Sequence, residues 1–143
     1  MKKQLLFLSF FLLIGSMAIG QIQFGAGGTL INDFGIQGRA KIPVGDKINA
    51  LPALSYFLSD GTVFALDAVA SYDVAEVAEF PIYATGGLTF LRSSFAGFSN
   101  TANLISLGGG TVINGNIYAE LRLLIGVGES SGNDLGINVG YYF

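Results

Sequence analysis

The chain is 143 residues long, carries a formal charge of −3, and contains neither cysteine nor histidine. Hydrophobic residues make up 51% and charged residues 12%, where a soluble domain would carry roughly 25% charged residues. These numbers leave no disulfide framework, no thiolate or imidazole metal site, no lipid-bearing cysteine and no Ser-His-Asp triad. Without a basic tract, nucleic acid is not expected as a partner.

The first element is a processing segment. In "MKKQLLFLSFFLLIGSMAIGQ" a basic head at Lys2 and Lys3 precedes an apolar run from Leu5 to Ile14, then small residues. Ala18 and Gly20 suit a signal peptidase, with Gln21 as the new N-terminus. The run is shorter than the roughly 20 apolar residues that a membrane-spanning helix needs, and Gly15 and Ser16 break it. The reading is a cleavable signal peptide over residues 1–20 and one domain over 21–143.

After Gln21 the dominant period is two. Apolar positions alternate with small or polar ones, and turn-forming clusters separate the runs. Eight strands are predicted: Gln21–Leu30, Phe34–Val44, Ile48–Leu58, Thr62–Val74, Phe80–Phe95, Thr101–Ile113, Asn116–Val127 and Leu135–Phe143. Ala75 to Glu79 and Ala96 to Asn100 are read as turns. The fifth and sixth strands are glycine-rich or apolar on both faces, so their pattern specifies register poorly. The last strand alternates Leu135, Ile137, Val139, Tyr141 and Phe143 with Gly136, Asn138, Gly140 and Tyr142.

Alternating strands fit two closed architectures. A soluble, lipocalin-like barrel points its apolar set inward; a membrane barrel points it outward to lipid. The polar set here is mostly Gly, Ser, Thr, Ala and Asn with few charges, too weak for a surface in water. Most charges instead fall in the separators: Asp33, Asp46, Lys47, Asp60, Glu76, Glu79, Glu129 and Asp134. Many positions of the inward set are small, including Gly25, Gly27, Gly35, Gly87, Gly136 and Gly140, which suits a narrow lumen. The expected fold is an all-β, eight-stranded, antiparallel, up-and-down transmembrane barrel.

With its leader, its eight alternating strands and its final "NVGYYF", the chain resembles the small OmpA/OmpX-type outer-membrane β-barrels. The resemblance implies a non-enzymatic structural or surface protein in the outer membrane of a diderm, Gram-negative bacterium, reached by export to the periplasm. It implies outer-membrane lipid and lipopolysaccharide as surroundings, no cofactor, and a monomer. It also implies that Ile137, Val139, Tyr141 and Phe143 form the insertion signal read by the barrel-assembly machinery. The loops are short for that family, which weakens any carry-over of an adhesive role. A narrow solute channel and a secreted barrel for an apolar ligand are the alternative functions.

Five charged residues fall on inward faces: Arg39 and Lys41 on the second strand, Asp67 on the fourth, Glu120 and Arg122 on the seventh. Unpaired charges in a barrel interior are costly, so Asp67 and Glu120 are expected to pair with Arg39, Arg122 and Lys41. Such a cluster reads as a plug, with a gated path or a ligand site as the rival function. Asp73 is placed at the lower rim. Arg92 is placed on the outer face, within reach of lipid headgroups and lipopolysaccharide phosphates. The six tyrosines, Tyr56, Tyr72, Tyr83, Tyr118, Tyr141 and Tyr142, are candidates for interfacial girdles, with simple packing as an equal alternative for any one of them. "GAGG" at Gly25 to Gly28 lacks the remaining glycine and the helix of a dinucleotide loop, and "GESSGND" lacks the Lys-Ser/Thr of a phosphate loop.

Overall fold

Two-residue periodicity places every second side chain on one face, and closure into a cylinder gives those faces an inside and an outside. The computed structural model describes residues 21–129 and 132–143. The leader, including Ala18 and Gly20, lies outside the described residues; Gln21 is exposed just before the first strand. The strands are β1 (Gln23–Leu30), β2 (Phe34–Pro43), β3 (Ile48–Leu58), β4 (Thr62–Val77), β5 (Phe80–Phe95), β6 (Phe98–Ile113), β7 (Ile117–Val127) and β8 (Asn133–Tyr142). Each pairs antiparallel with the next, and β8 closes onto β1 through Gly25↔Tyr142 to Leu30↔Ile137. Closure matters in lipid, where an unpaired backbone group costs several kcal/mol.

The apolar set faces out. Leu121, Leu123, Ile137 and Val139 are 43–52% exposed, whereas Arg39 and Glu120 are 4% and 3% exposed. This inverts the arrangement of a water-soluble protein. Aliphatic residues such as Leu54, Leu66, Leu88 and Leu121 occupy the middle of the outer wall. Most outward-facing aromatics gather towards its two ends, with Phe90 at mid-wall beside Leu66. Phe24, Tyr72, Phe80, Tyr141 and Phe143 lie at the lower end, where β1 begins and β8 ends; Phe34, Tyr56 and Phe64 lie at the upper end. Aromatic rings at both ends of an apolar band are the pattern of a membrane-spanning barrel.

Two turns are tighter than the sequence suggests. β4 runs on to Val77 past an irregularity between Asp73 and Ala75, and β6 begins at Phe98 rather than Thr101. The β4–β5 turn is only Ala78-Glu79 and the β5–β6 turn only Ala96-Gly97, with φ of 50°, 70°, 50° and 83°. Two successive positive φ values give the turn twist that matches paired strands. Apart from Gly97, these residue types do not announce that conformation. The resulting 16-residue strands carry the β4–β5 hairpin beyond the lower rim and the β5–β6 hairpin beyond the upper one. Asp73 sits at the lower end, its N–H donating to the Lys47 carbonyl at 2.8 Å.

Inside, side chains fill the cylinder in layers. At the lower end Tyr83, Val112, Tyr118 and Tyr142 form a buried cluster, with the Tyr118 and Tyr142 ring centroids 4.9 Å apart. This corrects the girdle reading for three of the six tyrosines: Tyr83, Tyr118 and Tyr142 point inward, while Tyr56, Tyr72 and Tyr141 face out. The strand face decides the matter, since a large ring on the inward set has nowhere to go but the lumen. Gly140 makes room for Tyr118, whose ring lies where a β-carbon on Gly140 would stand. Above the tyrosines lies a charged layer. Above that, Phe57, Leu104 and Leu124 are buried towards the upper mouth.

Candidate lumen ion-pair site

The charged layer is built from three strands. In the register of β2, β3 and β4, Arg39 stands opposite Ala53, and Ala53 opposite Asp67. The small Ala53 side chain leaves space between the two long ones. On β7, Glu120 and Arg122 are successive members of the inward set. Nη2 of Arg39 donates to Oε2 of Glu120 at 2.7 Å, and Nη2 of Arg122 reaches the same oxygen at 3.0 Å. Nη1 of Arg122 donates to Oδ2 of Asp67 at 3.0 Å. Two guanidiniums and two carboxylates thus form one chain, Arg39–Glu120–Arg122–Asp67, with no net charge.

Burial of these charges demands further partners, and most are present; Nε of Arg39 and Nε of Arg122 have none among the described residues. Glu120 also accepts from the Tyr83 hydroxyl at 3.1 Å and from Nδ2 of Asn138 at 3.3 Å. Asp67 accepts from the Thr89 hydroxyl at 2.6 Å. Arg39 lies over the Tyr118 ring, 4.3 Å from its centroid, and its Nη1 is 3.4 Å from the Tyr142 hydroxyl. A guanidinium over an aromatic face gains electrostatically from the ring quadrupole. Charged–charged, charged–neutral and aromatic contacts together join β2, β4, β5, β7 and β8 across the lumen.

Lys41 is not part of this network. It lies two residues below Arg39 on β2, is only half-buried, and makes no ion pair with the described residues. Its flexible stem can carry the ammonium towards the lower opening and water. Sequence reasoning did not single out Tyr83, Thr89, Asn138 and Tyr142 as partners. The signal for Asn138 and Tyr142 was their place on the inward face of the last strand. Tyr83 and Thr89 sit on β5, whose pattern was the least legible. Arg92 is exposed on the outer face, opposite Phe64 and Thr101.

The layer leaves little space. The cavity bounded by Thr29, Ser55, Asp67, Arg122, Leu124 and Asn138 holds about 10 Å³, close to the least that admits one water. Several buried polar atoms have no partner among the described residues, including the hydroxyls of Thr85, Ser106 and Tyr118. The four central charges are committed to one another, which leaves neither carboxylate free as a general base or nucleophile.

The terminal strand completes the barrel. Ile137, Val139 and Tyr141 face outward, and Phe143 follows with its ring edge-on to Tyr141 at 5.7 Å between centroids. The Phe143 N–H donates to the Phe24 carbonyl at 2.8 Å, and the Tyr142 N–H to the Asn116 carbonyl at 2.8 Å.

No protein-family model and no curated protein sequence matches the chain. Solved structures do. The N-terminal β-barrel domain of Pseudomonas aeruginosa OprF superposes with a TM-score of 0.59 at 17% identity, covering 85% of this chain and 96% of that one. The de novo designed TMB2.3 gives 0.50 at 15% identity, covering 84% and 91%. The Yersinia pestis outer membrane protein Ail, in a phospholipid bilayer nanodisc, gives 0.49 at 12% identity, covering 85% and 98%. At these identities the likeness is one of fold. The chain has the closed, eight-stranded antiparallel fold of the small outer-membrane β-barrels, with its apolar side chains on the outside and its central charges within.

Proposed function

We propose that this chain is a non-enzymatic, integral outer-membrane protein of a diderm bacterium with a structural or surface role, its lumen plugged rather than conducting. The observation that carries the reading is the inversion of polarity: Leu121 and Val139 outside, Arg39 and Glu120 buried inside. A secreted barrel for an apolar ligand needs the opposite arrangement. The Arg39–Glu120–Arg122–Asp67 chain crosses the lumen where a conduction path would run, which favours a plug over a channel. In this reading residues 1–20 direct export, and cleavage after Gly20 leaves Gln21 first. The barrel-assembly machinery then recognises Ile137, Val139, Tyr141 and Phe143. The barrel works as a monomer among lipid and lipopolysaccharide, with Arg92 reaching the headgroups.

The test is electrophoresis of the membrane fraction in detergent, boiled against unboiled. A heat-dependent mobility shift is expected, because a closed barrel resists detergent until heated. Recovery in the soluble extract without a shift would overturn the membrane reading. Planar-bilayer recording addresses the plug separately: a quiet trace is expected, and steady single-channel steps from the pure protein would replace the plug with a pore.

A further inference from the structure

At the upper mouth, above the charged layer, a cavity of about 440 Å³ opens between Asp33, Ser59, Asp60, Val63 and Phe95. A narrower cleft of about 70 Å³ continues inward from Asp33 and Val63 to Ile31, Phe57 and Leu91. Its base is apolar, and Phe57 there is buried. Phe95 is the last residue of β5, on the hairpin that rises beyond the rim, and is 64% exposed. Its parity along β5 matches that of buried Tyr83, Thr85 and Thr89, so it belongs to the face that continues the lumen wall and not to the lipid face. The hairpin is held close to the β3–β4 turn. A β-carbon placed on Gly61 would lie 2.7 Å from the Ser94 carbonyl oxygen and 3.4 Å from the Phe95 ring.

The charges around this cavity have one sign. Asp33 and Asp60 line it and are exposed; among the described residues no lysine or arginine does. Asp134 stands beside it, accepting from Nδ2 of Asn32 at 3.2 Å. Arg92, the nearest cation along β5, lies on the opposite face of the strand. An anion would be repelled here, and a purely apolar molecule would strip water from carboxylates without replacing it. A cation with an apolar body satisfies both halves. Its charge would meet the carboxylates and the face of Phe95, and its body would enter the cleft over Phe57 and Leu91. We infer that the upper mouth is a binding site for small organic cations, an ammonium group on a short aromatic or aliphatic body, taken from the aqueous phase.

The test is a titration of the folded barrel in nonionic detergent with benzyltrimethylammonium, followed by amide NMR shifts. Saturable shifts are expected at Phe57, at residues 60–63 and at residues 93–95. Neutral benzyl alcohol should bind more weakly and benzenesulfonate should not compete. Asp33→Asn with Asp60→Asn should weaken binding about tenfold, as should Phe95→Ala separately, each the equivalent of ~1.4 kcal/mol. Because these side chains are exposed at the rim, the variants should keep the heat-dependent mobility of the folded barrel. Shifts that never saturate, shifts spread along the lipid-facing strands, or an unchanged affinity in the double asparagine variant would each sink the site.

Discussion

Glu120 on β7 and Arg39 on β2 meet at 2.7 Å although β1 and β8 stand between their strands in the closed sheet. The contact therefore runs through the lumen and not along the wall. It links two sides of the cylinder that share no backbone hydrogen bonds. Removing Glu120 leaves Arg39 charged, buried and facing the rings of Tyr118 and Tyr142.

Glu120→Ala is accordingly expected to destabilise the barrel by about 3–5 kcal/mol, the cost of a buried charge left without its partner. Denaturant unfolding in micelles reads this as a lower midpoint. The double variant Arg39→Met/Glu120→Met keeps Arg122 and Asp67 as a neutral pair and should recover most of the loss, since well-packed apolar residues replace a buried pair at little cost. A double variant no more stable than the single one would contradict the assigned coupling.

Two glycines separate lumen crowding from backbone effects. Gly140→Ala drives a methyl group into the Tyr118 ring and is expected to cost at least 1–3 kcal/mol, roughly the range for overpacking. Gly38→Ala meets nothing within 4 Å and should be neutral or stabilising by about 0.4–1 kcal/mol through the unfolded chain. Comparable losses at both positions would mean that Tyr118 does not fill the space the structure gives it.

Outer-wall substitutions probe lipid directly. Leu121 lies near the middle of β7 and Val127 at its upper end, both exposed. Leu121→Arg should cost about 2–4 kcal/mol in a bilayer, whereas Val127→Arg should cost about 0–1 kcal/mol. In water neither exposed position should matter much. The depth dependence, measured by reversible folding into vesicles, distinguishes a lipid-facing wall from a wetted one.

Phe143→Ala probes the proposed insertion signal. The Phe143 ring is 77% exposed and its backbone bond to Phe24 does not need the side chain. Stability of the refolded barrel should fall by only about 1–2 kcal/mol, the lipid and Tyr141 contact of one ring at the edge of the wall. Insertion in cells should fall severalfold, read as unfolded precursor in a heat-shift gel. Equal losses in both assays would make the side chain a structural element instead of a signal.

The inward faces were legible because the strand period is two, so a one-residue slip moves every side chain to the other face. That parity put Arg39, Asp67, Glu120 and Arg122 inside, and the structure finds each of them buried. It also carried Asn138 and Tyr142 inward, although their part in the charge network was not drawn from it. The ends of β4 and β6 were not legible. Ala78-Glu79 and Ala96-Gly97 turn in two residues through positive φ values that alanine and glutamate do not advertise. For Tyr83, Tyr118 and Tyr142 packing and not a girdle is the outcome, because strand face and not residue type decides where a ring points.

Alternation, scarce charge and an aromatic final strand were enough to determine a closed barrel with its apolar side turned outward, because backbone pairing in lipid tolerates no open edge. Which charges meet was decided only by tertiary structure. Lys41 and Arg39 share a face of one strand, yet only Arg39 reaches Glu120. Strand order and register set the height and direction from which each side chain enters the lumen. A linear pattern carries the face of a residue but not the residue that stands across from it.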